Sequence, residues 1–188
     1  MENKKIMIVG VGGQGTLLAS RILGYLFLSK NLDVKVSEVH GMSQRGGSVV
    51  TYVCSGEKVY SPIIDRGEAD IIISFELLEA ARNLEYLKDG GILITNTQKI
   101  NPMPVITGAS VYPEAIVEKI AATGARIDAF DALTPAESTG NSKSVNLVML
   151  GRLSKYLEFS DDEWMEAIDA SVKEKLRESC KKAFMLGK

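Results

Sequence analysis

Six residues near the start of the chain, Gly10-Val-Gly12-Gly13-Gln14-Gly15, limit what it can fold into more than any other feature. They follow a short β-prone run, Ile6-Met-Ile-Val9. They precede Thr16–Leu28, where Leu18, Ile22 and Leu26 recur on one helical stripe. A buried strand turning through glycines into a helix opens a β-α-β unit, and G-x-G-x-x-G is the dinucleotide-binding form of that turn. Two readings of the glycines stand side by side. They bare N–H groups at a helix N-terminus to an anion such as phosphate, with Thr16 adding a hydroxyl, or they serve only tight strand-to-helix packing. The dinucleotide form also asks for an acidic residue roughly 20 positions on, and Glu38 stands near that place. The chain then continues Val39-His40-Gly41-Met42 instead of turning into a helix, which does not suit an ordinary NAD-binding unit. A Walker A lysine is absent, so a P-loop NTPase is excluded.

The rest of the chain alternates. Val34–Val39 reads as a second strand, and Ser48–Cys54 with Lys58–Tyr60 around Ser-Gly-Glu predicts a hairpin. Ala69–Ser74 and Ile92–Thr95 read as buried strands. Between them the spacing predicts a helix over Leu77–Leu87, ended by Asp89-Gly90-Gly91. Asn101-Pro-Met-Pro104 breaks regular structure, Pro113 opens a helix, and Arg126–Phe130 supplies a last strand before a loop through Asn141. Val145–Leu157 is a strongly apolar helix, and Ser160 with Glu163 has capping-box spacing for a C-terminal helical segment. Strands alternating with helices predict an α/β chain. The expected form is one three-layer Rossmann-like domain over residues 1–188, with a largely parallel but mixed sheet, a β-hairpin insertion and C-terminal helices.

Charge and rare residues narrow the function. With 22 basic and 24 acidic residues the net charge is −2, so no broad basic face for nucleic acid or anionic lipid is expected. His40 is the only histidine, and Cys54 and Cys180 are the only cysteines. Two thiols cannot hold an ordinary iron–sulfur cluster or an all-cysteine zinc site, and one histidine excludes three-histidine zinc and the two-histidine iron triad. No metal site is expected. Few cysteines and no signal-like or membrane-length apolar run suit the cytoplasm. If the protein serves redox chemistry, small molecules or another chain must carry the electrons. Cys54 in its strand reads as a buried hydrophobe. Asp128, Asp131, Glu137, Asp161 and Asp162 lack histidine partners and read as caps and solvated loop groups. Trp164 and Met165 fit either the core or a docking face.

The sharpest signal is Ser37-Glu-Val-His-Gly-Met-Ser-Gln-Arg-Gly-Gly-Ser48, a polar glycine-rich connection between two strands. It gathers His40, Ser43, Gln44, Arg45, Gly46 and Gly47 where a loop on a rigid scaffold projects polar groups. Arg45 can fork onto a phosphate or carboxylate, or pair with Glu38 or Asp65 in a plain salt bridge. His40 is a functional group or a satisfied structural histidine. No nucleophile stands beside it, so no catalytic residue is assigned.

Gly10–Thr16 together with Ser37–Val49 resembles the gamma subunits of 2-oxoacid:ferredoxin oxidoreductases, and most nearly the small subunit of indolepyruvate oxidoreductase. A third segment, Gly140-Asn-Ser-Lys-Ser-Val-Asn-Leu-Val-Met-Leu-Gly151, is similar to that family's Gly-Asn…Asn…Leu-Gly stretch, with Lys143 where arginine is common. The resemblance implies an accessory subunit, inactive alone, that packs on a large catalytic subunit near the coenzyme A region. Thiamine diphosphate and iron–sulfur clusters would then be carried by other subunits, electrons would pass to ferredoxin, and the products would be acyl-CoA and carbon dioxide. It implies phosphate or cofactor contacts at Gly10, Gly12, Gly13, Gln14, Gly15 and Thr16, ligand or subunit contacts in the His40–Gly47 loop, and further contacts at Asn141, Ser142 and Asn146. No cofactor is expected to bind tightly to this chain itself, and a homodimer is open to it when isolated. The alternatives are a free-standing NAD, FAD or nucleotide-binding protein, and a scaffold whose glycines are structural.

Overall fold

A computed structural model describes residues 3–41 and 46–188. In chain order the elements are β1 (Lys4–Val11), α1 (Thr16–Ser29), β2 (Asp33–His40), β3 (Ser48–Gly56), β4 (Ala69–Ser74), α2 (Leu77–Arg82) and β5 (Leu87–Asn96). There follow the short α3 (Met103–Ile106), α4 (Ile116–Ala122), β6 (Arg126–Phe130), α5 (Leu133–Ser138), α6 (Val145–Leu153), α7 (Asp161–Ser171) and α8 (Arg177–Gly187). The six strands form one sheet in the order β2-β3-β1-β4-β5-β6. β1, β4, β5 and β6 are parallel neighbours, and β3 runs antiparallel to both β1 and β2. Five strands therefore point their carboxyl ends at the same edge.

The central strands are apolar throughout because both faces are covered, as parallel strands require. Ile6, Ile8, Ile71, Ile73, Ile92 and Ile94 face a layer built from α1, α6, α7 and α8. Met7, Val9, Ile72 and Leu93 face the other side, against α2 and α4. This is the expected three-layer α/β arrangement with a mixed sheet. In the first layer Trp164 is fully buried, edge-on to Phe159 at 6.2 Å and against Phe184 at 5.1 Å, so it belongs to the core. The Ser160–Glu163 capping box forms at the start of α7. No helix among the described residues is long and apolar enough to cross a membrane.

Four local expectations need correction. Lys58–Tyr60 joins no strand, and the hairpin is instead β2–β3, because β3 bonds to β2 on one side and β1 on the other. The helix expected to reach Leu87 ends at Arg82, and Asp89-Gly90-Gly91 lies inside β5. Glycine is needed there: a Cβ on Gly91 would stand 2.9 Å from the Asp70 carbonyl oxygen of the neighbouring strand. The helix after Pro113 opens only at Ile116, capped by Ala115 at a φ of 53°. The loop expected before Asn141 contains α5, whose first turn is capped by the Asp131 carboxylate accepting from Leu133 and Thr134 N–H.

At the far edge, Asp128 of β6 fastens α6 to the sheet. Its carboxylate accepts from Arg152 at 2.7 and 2.8 Å and from the Tyr156 hydroxyl at 2.7 Å. Burial pushes the Asp128 carboxyl up, but the hydrogen bonds from Arg152 and Tyr156 outweigh it and hold the group below the usual carboxylate range. The stabilisation is therefore full above the unfolded-state value near 4 and disappears as pH falls through the lower folded value. Asp128→Asn is expected to lower unfolding stability by about 1.5–3 kcal/mol at pH 7 and by much less below pH 3. Urea denaturation at the two pH values checks this.

Candidate functional site

At the carboxyl edge of the sheet, the turn after β1 and the connection after β2 lie side by side and interlock. Gly12 N–H donates to the Gly47 carbonyl at 2.8 Å, and Gly46 N–H donates to the Gly12 carbonyl at 3.4 Å. Gly13 and Gly15 have φ of 104° and 84°, a region where a side chain is strained. A Cβ on Gly15 would also stand 2.5 Å from Asn146 Nδ2, so that side chain would have to shift. That amide donates to the Gly15 carbonyl at 3.2 Å, which brings the start of α6 against the start of α1. The Gln14 side chain closes the turn from beneath: its Oε1 accepts from Val11 N–H at 2.7 Å and its Nε2 donates to the Phe75 carbonyl at 2.9 Å.

These bonds separate committed donors from open ones. Gly12 and Gln14 N–H are engaged, whereas Gly13, Gly15, Thr16 and Leu17 N–H meet no acceptor among the described residues. They sit at the positive end of the fourteen-residue α1. A cavity of about 430 Å³ opens over them, lined by Gly12, Gly13, Gly15, Thr16, Glu38 and His40. Glu38 reaches in from β2, its Oε2 accepting from the hydroxyls of Thr16 at 3.4 Å and Thr51 at 3.3 Å. The site thus pairs N–H donors suited to an anionic oxygen with a carboxylate suited to ligand hydroxyls. His40 is exposed at the rim, its Nδ1 3.0 Å from the Gly41 carbonyl oxygen.

The remaining residues singled out in the sequence divide. Ser43, Gln44 and Arg45 lie outside the described residues. Asn146 is buried and meets the first turn, whereas Asn141 caps the next residues by accepting from Lys143 N–H at 3.1 Å, and Ser142 is exposed. Sequence reasoning missed a polar belt beside the glycine turns: Ser48, Glu76, Glu79, Asn96 and Tyr112. Asn96 donates to the Phe75 carbonyl and accepts from Ala132 N–H at 3.0 Å, tying the ends of β4, β5 and β6. Two carboxylates at a helix start read as ordinary N-terminal acidity, and only their burial distinguishes them. Burial pushes the thiols of Cys54 and Cys180 up, which leaves them poor nucleophiles. No group of three or more His, Cys, Asp or Glu side chains among the described residues can hold a metal ion.

A mixed doubly wound sheet whose two glycine turns lock together beneath a helix N-terminus defines an α/β unit with a polar cavity at its carboxyl edge. Residues 5–188 match the family described as pyruvate ferredoxin/flavodoxin oxidoreductase, and the chain belongs to that family. It is 43% identical over 194 residues to indolepyruvate oxidoreductase subunit IorB of Thermococcus kodakarensis, spanning 100% of this chain and 95% of that protein. The fold matches the crystal structure of pyruvate oxidoreductase subunit PORC from Thermotoga maritima with a TM-score of 0.76 at 19% identity, covering 100% and 96% of the two chains. It also matches 2-oxoglutarate:ferredoxin oxidoreductase from Magnetococcus marinus, a structure with 2-oxoglutarate, coenzyme A and succinyl-CoA bound, at a TM-score of 0.68 and 17% identity. There the match covers 100% of this chain and 30% of the longer one. The expected accessory-subunit class and its oxidoreductase family are thereby established, and a free-standing nucleotide-binding protein finds no support.

Proposed function

We propose that this chain, over residues 1–188, is the small subunit of a cytoplasmic indolepyruvate-type 2-oxoacid:ferredoxin oxidoreductase, and that its α1 cradle receives the phosphates of coenzyme A. The larger subunit carries thiamine diphosphate and the iron–sulfur clusters, where the 2-oxoacid is decarboxylated and electrons leave toward ferredoxin. The observation that carries the ligand assignment is the set of four N–H groups, on Gly13, Gly15, Thr16 and Leu17, that meet no acceptor among the described residues and face a cavity shared with Glu38. Phosphate oxygens match the N–H groups, and a ribose hydroxyl matches Glu38. His40, at the rim of that cavity, supplies a further donor toward the ligand or the large subunit. The chain's role is to bind and orient: the cavity offers N–H donors, the Thr16 hydroxyl and the Glu38 carboxylate.

Gly13→Ala tests this with little change in fold, because the space around its Cβ is open while its φ of 104° resists a side chain. In the reconstituted complex it is expected to raise the KM for coenzyme A by roughly tenfold, the worth of one charge-assisted hydrogen bond. An unchanged KM with an intact circular dichroism spectrum contradicts the cradle.

A further inference from the structure

Glu76 and Glu79 open α2 on the side of the sheet away from the cradle, and they are only 1% and 2% exposed. Burying two carboxylates is unfavourable unless each oxygen is hydrogen-bonded, and here each one is. Glu76 Oε1 accepts from Ile100 N–H at 3.0 Å and from the Tyr112 hydroxyl at 2.5 Å, and its Oε2 accepts from Glu79 N–H at 2.9 Å. Glu79 Oε1 accepts from Arg82 at 2.6 Å, and its Oε2 accepts from the Ser48 hydroxyl at 2.6 Å. Apolar side chains would fill the same space without that desolvation, so filling the core does not explain the pair.

The partners reveal a direction. Ser48 is the first residue of β3 and follows Gly47, whose carbonyl receives the Gly12 N–H. A crevice of about 220 Å³ lies between Gly46–Ser48 and Pro102 and Met103, so close packing among the described residues does not hold that segment from this side. Beyond the pairing of Ser48 with Val11 on β1, the Ser48–Glu79 hydrogen bond holds it. The connection runs from Ile100 and Tyr112 through Glu76 to Glu79, then through Ser48 and Gly47 to Gly12, one residue from the first open N–H of the cradle.

We propose that Glu79 is a positioning residue: by holding Ser48 it keeps Gly46 and Gly47 in register with Gly12 and so sets the spacing of the two glycine turns on which ligand affinity depends. Glu76 acts one step further back, fixing the backbone of Glu79. The inference deepens the ligand reading given above and rests on it.

Ser48→Ala removes the tie from an exposed position without touching the cradle, and Ser48→Thr keeps the hydroxyl. In the purified chain, Ser48→Ala is expected to speed hydrogen exchange at Gly46–Val49 while leaving Tm within a few degrees. In the reconstituted complex it is expected to raise the KM for coenzyme A by roughly tenfold, the loss of one hydrogen bond to a charged acceptor, with a smaller change in kcat. Ser48→Thr restores both readouts. Unchanged exchange, or faster exchange with an unmoved KM, overturns the proposal. If Gly13→Ala also leaves the KM unmoved, the cradle reading falls with it; if Gly13→Ala raises the KM, only the positioning role is refuted.

Discussion

Alanine at position 151 is expected to separate α6 from α8 and remove much of the chain's stability. Gly151 lies on α6 where a Cβ would overlap the carbonyl oxygen of Phe184, and Gly187 on α8 makes the reciprocal approach to the carbonyl oxygen of Val148. Both obstacles are backbone atoms, so no side-chain rotation relieves them. The helices must move apart, and with them Phe184, Ala183 and Leu150, all fully buried in the layer that covers α1 and the sheet. Overpacking of a tight core typically costs about 1–3 kcal/mol, and a contact with immovable backbone belongs at or above the top of that range. A loss of roughly 3 kcal/mol or more is a large share of the 5–15 kcal/mol typical of such domains. Gly24 supplies the control. It sits inside α1 with open space around its Cβ, so Gly24→Ala is expected to stabilise by about 0.5–1 kcal/mol through helix propensity. Urea midpoints of the two variants should move in opposite directions. An unchanged midpoint for Gly151→Ala would contradict the close approach of α6 and α8.

What could be read from the sequence follows from the range of the interactions involved. The turn from β1 into α1 was legible because its strand, glycines and amphipathic helix are contiguous, and each local preference agrees with the fold. The place of β3 was not. Whether Ser48–Gly56 pairs with the next segment or inserts between β1 and β2 is decided by partners more than forty residues apart in sequence, such as Lys4 and Ser55. The glycines at 90 and 91 misled for a related reason: they resemble a helix end, yet one of them answers a neighbouring strand's carbonyl group. At the site, the contiguous Gly10–Thr16 motif is legible as a turn that either cradles an anion or packs tightly, but the engagement of Gly12 N–H by Gly47 is not, since it joins two loops. The Glu79–Ser48 tie was hidden for the same reason. The family resemblance was legible because it lies in contiguous segments, 10–16 and 37–49, and in the Gly140–Gly151 stretch.

The central claim is that this chain is one part of a divided enzyme, shaping a ligand region while another subunit performs the chemistry. Its composition makes the expected effect all-or-none. Two cysteines and one histidine cannot carry the clusters that pass single electrons, and the cavity at the α1 turn holds N–H donors, a hydroxyl and a carboxylate suited to binding. The direct measurement is reconstitution from separately purified subunits. The chain and the proposed large subunit are assayed alone and mixed, following coenzyme A-dependent reduction of ferredoxin with indolepyruvate and pyruvate as substrates. The account predicts no activity from this chain alone, little or none from the large subunit alone, and full activity on mixing that saturates at a fixed stoichiometry. Oxidation of a 2-oxoacid by this chain alone, or undiminished coenzyme A-dependent activity of the large subunit without it, would contradict the account.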